Sequence, residues 1–287
     1  MRNRTIGGIT VSAIGLGGMP MSIEGRPDED RSVRTIHAAL DAGVTLIDTA
    51  DAYHMLPGET GHNERLIAKA LASYPGDTSD VLVATKGGHV RPGDGSWQVD
   101  GSRAHLRQAV EASLKALGAD VIGLYQFHRP DPKVPYAESI GALKELLDEG
   151  KIRLAGISNA TIEQIDIARR ILGEQNLASV QNQFSPAFRS SEDELAHCAE
   201  LGITFLPWSP LGGIGRAGEL GTSYEEFKQV ADAHHVSPQQ VALAWMLAKA
   251  PVVIPIPGAS RPESIIDSAQ AADLTLTQAE LALLDLA

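Results

Sequence analysis

VIGLYQFHRPDPKVPYAESIGALKELLDEGKIRLAGISN, residues Val121–Asn159, is the stretch whose reading decides the fold. Val121–Phe127 is a brief, β-rich apolar run without the polar alternation of a half-exposed strand, which is how a strand covered on both faces reads. Ser139–Glu149 then repeats its apolar residues with a period of about 3.6, which predicts a helix. Gly150 stands where that helix would end, because glycine takes the left-handed C′ conformation without steric cost. Ile152–Ile157 is a second buried strand. Polar residues come immediately after both strands: His128 after the first, Ser158 and Asn159 after the second.

The same unit recurs on either side. Further apolar runs fall at Ala13–Leu16, Val44–Ile47, Val81–Ala84, Ala178–Val180, Ile203–Leu206 and Val252–Ile254. Helical periodicity covers Ser32–Ala42, Asn63–Ser73, Arg103–Leu117, Ile162–Leu172, Glu192–Leu201 and Tyr224–His234, with Gly43, Gly118 and Gly202 at expected helix ends. The chain has 287 residues, enough for two domains, yet no composition break or Pro/Ser linker divides it. Eight strands alternating with helices favour an α/β fold of the (β/α)8 TIM-barrel type, one domain over residues 1–287, above an open doubly wound sheet. Thr5–Val11, with Gly7-Gly8 supplying positive φ angles, predicts a β-hairpin that plugs the barrel floor. Extra helices are expected at Pro238–Lys249, between the seventh and eighth strands, and at Gln278–Leu286, at the C-terminus.

Composition removes several classes of function. The net charge is −12 and no Lys/Arg cluster occurs, so a nucleic-acid partner is not expected. Cys198 is the single cysteine, which rules out a disulfide framework and suits a reducing compartment. The opening MRNRTIGG lacks a signal-like apolar stretch, and no run reaches the roughly 18 apolar residues of a membrane span. The expectation is a cytoplasmic enzyme, a monomer or small homo-oligomer, with a small-molecule substrate.

Polar signals concentrate after the apolar runs: Asp48–Tyr53, Lys86, His128, Ser158–Asn159, Gln181, Trp208–Ser209 and Gly258–Arg261. In a barrel those ends converge on one mouth. A phenol is a poor acid at neutral pH, and a neighbouring ammonium lowers its pKa, so Lys86 is expected to tune Tyr53. A buried lysine needs a counter-ion, and Asp48 is the natural one. His128 can polarise a substrate oxygen. Together the four suit protonation of a carbonyl oxygen while electrons reach the carbon from elsewhere.

LIDTADAY (Leu46–Tyr53), ATKGG (Ala84–Gly88), FHRPD (Phe127–Asp131), GISN (Gly156–Asn159), VQNQFSP (Val180–Pro186), PWSPLG (Pro207–Gly212) and IPIPGASR (Ile254–Arg261) succeed one another as do the signatures of the aldo-keto reductase family, which this chain resembles from its first strand to its last repeat. The resemblance puts the family's catalytic tetrad on Asp48, Tyr53, Lys86 and His128. It implies a nicotinamide cofactor held without a Rossmann domain. Ser158, Asn159 and Gln181 would hold the carboxamide, with Trp208 stacked on the ring. Ser209, Leu211 and Gly213 would approach the pyrophosphate, and Gly258, Ala259, Ser260 and Arg261 the adenosine phosphate. The family's Lys, Arg and Asn positions in that last loop read Gly258, Ser264 and Ser268 here. Arg261 is the remaining cation for a 2′-phosphate, so NADPH is expected, with NADH admitted as a second cofactor.

Other signals are set aside. Gly213–Gly218 matches GxGxxG, but no βαβ unit surrounds it and no helix is expected after Gly218, so it reads as a flap over the cofactor. Asp48, Asp51 and His54 could suggest a metal site, but no HxH or HExxH accompanies them and Lys86 is an unwelcome neighbour for a cation; no metal is expected. A Schiff-base role for Lys86 conflicts with its pairing to Asp48. Cys198 and Trp245 read as packing residues, and His37, His105, His197, His234 and His235 as surface or rim. Gly87–Ser102 is a loop long enough to be a lid. With Met19, Ala52 and Arg129 it is expected to wall the substrate pocket, with His89, Arg91 and Trp97 as contacts and with His54 and His62 near the mouth. Arg129 favours a polar or anionic carbonyl compound. The function expected is NADPH-dependent, reversible reduction of an aldehyde or ketone with Tyr53 as general acid/base; the alternatives are a nicotinamide-binding redox sensor or regulatory subunit and, least favoured, a metal-dependent barrel hydrolase or isomerase.

Overall fold

In the computed structural model, which describes residues 1–213 and 215–287, seven parallel strands succeed one another around a (β/α)8 barrel. They are Leu16–Gly17, Leu46–Asp48, Leu82–Gly87, Ile122–Phe127, Ile152–Ser158, Leu177–Gln181 and Thr204–Phe205. Each pairs with its sequence neighbour, and the helices between them pack outside.

The eighth strand, expected at Val252–Ile254, is not a regular strand. Pro251, Pro255 and Pro257 leave it short of donors. Toward the seventh strand it pairs normally: Phe205 donates to the Val252 carbonyl, and Ile254 to that of Phe205, each at 2.9 Å. Toward the first strand the proline carbonyls only accept, from Gly15 and Gly17, at 2.9 Å each. Single bridges, Phe205 to Val253 and Gly17 to Gly258, complete the closure. The first strand likewise begins later than expected, at Leu16.

Period-two alternation explains where the chemistry goes. Leu46, Leu82, Leu124 and Ala84 share one buried interior cluster with Ile6 and Val11 of the N-terminal hairpin. Two residues on from Leu46 comes Asp48; two on from Ala84, Lys86; Leu124 leads to Gln126 and then His128; Gly156 leads to Ser158. The inward parity that fills the barrel low down with aliphatic groups thus sets polar groups at its C-terminal mouth. The opposite parity, Ile47, Tyr125, Phe127 and Ile157, packs against the helical shell.

The hairpin, Asn3–Ile6 against Ile9–Ser12, closes the floor as expected. Gly7 and Gly8 turn it at φ +53° and +83°, and a Cβ on Gly7 would strike Leu154 at 2.6 Å. The helix Pro238–Lys249 has its expected bounds, and the C-terminal helix runs over Gln278–Asp285. The helix Glu29–Asp41 starts earlier than its apolar period, because a cap and not hydrophobicity sets its start: Asp28 accepts from the Arg31 amide at 2.7 Å. The fourth helix starts at Tyr136 rather than Ser139, after Pro135. The helix Pro262–Gln270, which the apolar periodicity does not mark, completes the eighth repeat. Trp245 is core, stacked on Phe184 with ring centroids 5.5 Å apart.

Candidate active site

A cavity of about 1040 Å³ opens at the C-terminal mouth. Lys86 lies just behind its wall, wholly buried on the third strand, and its ammonium makes three contacts: Asp48 Oδ1 at 2.5 Å, the Thr49 carbonyl at 2.8 Å and the Tyr53 hydroxyl at 3.0 Å. Burial alone would lower the lysine's pKa, but Asp48 and Tyr53 outweigh it and the ammonium stands above its ordinary value. A Schiff-base role has no neutral amine to start from. Burial also lifts the Tyr53 phenol above its ordinary value, and the downward pull of Lys86 does not cancel that rise. The expectation that Lys86 brings Tyr53 below the normal phenol range is therefore corrected: without a ligand the group stays a fully protonated donor.

Asp48 is fixed from its other side by two residues. Its Oδ2 accepts from Gln181 Nε2 at 2.8 Å and Gln126 Nε2 at 3.2 Å. Gln126 is a site residue that the sequence reading missed. The signal for it was present, since it shares the inward parity of Leu124 and His128 and sits beside Lys86 in the ladder. Gln181 lines the cavity and also serves as a brace for Asp48.

His128 caps the fourth strand with its ring 5.7 Å from that of Tyr53, edge to face. Burial, then Lys86, His89 and Arg129, hold it well below the ordinary imidazole value, so it is neutral. Its Nδ1 is buried and, among the described residues, has no partner. Asn159, at φ +57°, binds the His128 carbonyl with its amide at 2.9 Å and accepts from the Trp208 indole at 3.2 Å. Ser158 donates to the Gln181 carbonyl at 2.7 Å. These bonds tie the fourth, fifth, sixth and seventh strand ends into one platform.

Every residue expected to meet the cofactor lines the cavity: Ser158, Asn159, Gln181, Trp208, Ser209, Leu211, Gly213, Gly258, Ala259, Ser260 and Arg261. Trp208 is half-buried, with its indole nitrogen held. Arg261 is exposed and rests on Ser264 Oγ at 2.8 Å. A half-buried aromatic face, a backbone at Gly213 where an added Cβ would meet nothing within 4 Å among the described residues, and the exposed Arg261 guanidinium beyond it suit an elongated dinucleotide phosphate. Contrary to expectation, a short helical segment runs on from the end of the GxGxxG match: Ala217–Glu219 begins within its last two residues and continues into Leu220–Ser223. Ile214 within that match lies outside the described residues.

On the substrate side Met19, His89, Trp97 and Arg129 line the cavity. Ala52 does not, being 1% exposed within the turn before Tyr53. His54 is buried with Nδ1 against the Leu56 carbonyl, and His62 turns to Ser22, so neither faces the mouth. Asp51 is buried beside Glu64, and burial and that neighbour raise its pKa well above its ordinary value; among the described residues no group of three His, Cys, Asp or Glu side chains is placed to hold a metal ion, and Asp48, Asp51 and His54 form no such group. Arg91 is not a contact but a latch. It pairs with Glu24 at 2.5 Å, donates to the His54 carbonyl, and lies over the Trp97 ring at 4.5 Å. The segment expected as a loop is a small hairpin, His89–Val90 against Gln98–Val99.

That hairpin sets the state of His89. Its Nδ1 meets the Gln98 carbonyl at 3.0 Å and so carries the proton, leaving Nε2 to accept from Arg129 Nε at 3.3 Å. Burial pushes the ring from 6.5 down to about 4. Between those values the unfolded chain binds a proton that the folded chain refuses, so this ring's contribution to stability declines as pH falls from 6.5 to about 4 and then levels off. An NMR titration of the His89 ring is expected to give a midpoint near 4; a midpoint above 6 would mean that the chain from Arg129 to Gln98 is not formed.

The sequence model of the Aldo/keto reductase family matches residues 13–287. The chain is 34% identical over 284 residues to an uncharacterised oxidoreductase of Schizosaccharomyces pombe, covering 98% of this chain and 88% of that one. It is 36% identical over 275 residues to a 6-dehydroglucose reductase of Novosphingobium aromaticivorans, covering 92% and 87%. An aldo-keto reductase from Klebsiella pneumoniae in complex with NADPH superposes with a TM-score of 0.81 at 30% identity, over 100% of this chain and 95% of that one.

Proposed function

Because the chain belongs to the aldo/keto reductase family and is an NAD(P)H-dependent oxidoreductase of carbonyl and alcohol groups, we propose that it reduces an aldehyde or ketone with NADPH, Tyr53 acting as the general acid. The observation that carries this reading is the Tyr53 hydroxyl, 3.0 Å from a wholly buried ammonium at the wall of the cavity. When bound, NADPH supplies the hydride for the carbonyl carbon. The chain's own residues supply the proton and the orientation. Tyr53 gives its phenolic proton to the carbonyl oxygen. Lys86 stabilises the phenolate that is left, at a moment when burial alone would oppose it. Asp48, braced by Gln126 and Gln181, keeps Lys86 charged and in place. Neutral His128 donates a hydrogen bond to the same oxygen and so fixes which lone pair meets Tyr53. In the reverse direction Tyr53 takes the alcohol proton back as general base.

Trp208 with Ser158, Asn159 and Gln181 would hold the nicotinamide end, Ser209, Leu211 and Gly213 the pyrophosphate, and Gly258–Arg261 the adenosine phosphate. Arg261 favours NADPH over NADH through a charge-assisted contact. The chain acts as one barrel domain; free, buried Cys198 accords with the cytoplasm. Among the described residues no helix is long and apolar enough to cross a membrane.

A panel of aldehydes and ketones, monitored by loss of NADPH absorbance with and without chelator, tests the reading. Chelator-insensitive turnover of at least one carbonyl is expected, and none on any member would overturn it. Binding gives an independent measurement: Trp208→Ala is expected to weaken NADPH by about 1–3 kcal/mol in calorimetry on folded variant, the scale of a base stacked on an aromatic ring. Unchanged affinity removes Trp208 from the site.

A further inference from the structure

Resting on the reductase reading, we propose that Arg129 selects the substrate, and that the substrate is a carbonyl compound carrying a carboxylate-type anionic group a short spacer from its carbonyl carbon. The reasoning begins with the charges around the cavity. Its wall holds two carboxylates, Glu24 and Asp48, and each is already matched by a cation from behind, Arg91 and Lys86. Its wall also holds two guanidinium groups, Arg129 and Arg261, and among the described residues neither has an acidic partner. The cavity is therefore left with positive charge in a protein whose net charge is −12. Both are exposed, so water serves them until a ligand arrives, and two cations without acidic partners at one mouth are suited to anionic groups on the ligands.

Position divides them. Arg261 stands in the loop after the eighth strand, with Ser264, at the end assigned to the cofactor's adenosine phosphate. Arg129 comes directly after His128 in the chain and lies at the catalytic end. His89 links the two sides of that end: its ring is 4.3 Å from the ring of His128, and its Nε2 accepts from Arg129 Nε. That hydrogen bond uses the Nε–H at the flank of the Arg129 guanidinium and leaves the two terminal Nη groups, an end-on pair that can grip a carboxylate from two nitrogens. His89 cannot take over as the anion's partner, because its Nδ1 proton is committed to Gln98 and its Nε2 is an acceptor. A substrate whose carbonyl oxygen lies between Tyr53 and His128 thus finds its anion site about one imidazole away.

The test uses 2-, 3- and 4-carboxybenzaldehyde, each against its methyl ester, with the full-length enzyme and NADPH at pH 7 and low salt. For at least one acid, kcat/KM is expected to exceed that of its ester by about tenfold or more, chiefly through KM. Arg129→Gln should bring that ratio down by about tenfold, and Arg129→Lys, which keeps the charge without the fork, should retain part of it. Binding of benzoate to the enzyme saturated with NADP+, read by calorimetry, should weaken in parallel in Arg129→Gln. Equal turnover of acids and esters, or a ratio indifferent to Arg129, overturns the assignment while leaving the reductase reading intact. Absence of turnover on every acid and ester overturns both.

Discussion

Tyr53→Phe is expected to lower turnover by about 100-fold or more while leaving NADPH affinity essentially as it was, the scale of a positioned general acid. The variant keeps the ring that packs edge-on against Trp97 and His128, at centroid distances of 6.5 and 5.7 Å, and removes only the hydroxyl. Lys86 loses one of three contacts and keeps Asp48 and Thr49, so folding is not the casualty. Single-turnover measurement of NADPH oxidation isolates the chemical step from product release, and fluorescence titration reports cofactor binding. A variant that matches the unaltered enzyme in single turnover would strip Tyr53 of its role.

Asp48→Asn is expected to have the largest effect on stability, about 3–5 kcal/mol, because it strands a buried ammonium. Lys86 is 0% and Asp48 2% exposed, so neither can turn to water. Asparagine keeps a single acceptor oxygen, so either Lys86 or the pair Gln126 and Gln181 is left facing an amide that donates. Urea unfolding at pH 7 reads the loss, and a change below about 1 kcal/mol would mean that the pair is not a buried one. Replacing both partners, Asp48→Leu with Lys86→Met, should restore most of the stability and none of the activity, since a buried ion pair is weak in net stability. That contrast separates what the pair does for the fold from what it does for the chemistry.

The strand positions and the inward placement of Asp48, Lys86 and His128 were legible because both obey local rules: apolar runs mark strands, and residues at or just past the end of a barrel strand face the mouth; Tyr53, in the turn after its strand, was placed only by the resemblance of LIDTADAY to the family's motif. Gln126 stands in the same parity, but a neutral amide carries no charge that needs a partner and so leaves no mark in the sequence beyond its position. Ala52, His54 and His62 were misplaced for a different reason. Near Tyr53 the chain leaves the strand and turns, and in a turn sequence distance no longer tells direction. Arg91 was read as a contact because Glu24, its partner, is 67 residues away. The downward tuning of Tyr53 failed on magnitude: the charge of Lys86 could be read from the motif, but the depth of burial that outweighs it could not. The eighth strand was marked by its valines and isoleucine, while its prolines, in plain view, decided its ladder.

Those prolines also bear on the order in which the barrel can come into being. Strands two to seven each zip onto a neighbour close in the chain, whereas the seam from Gly15 to Pro255 joins the two ends of the barrel and carries few amide donors. A contact so distant, with so little to reward it along the way, is the kind that forms late. Gly258–Arg261 and Ser264 lie beyond that seam and complete the cavity wall. A chain still emerging during synthesis can possess Asp48, Tyr53, Lys86 and His128 and yet have no finished cleft, so the complete pocket is expected with barrel closure and not before it.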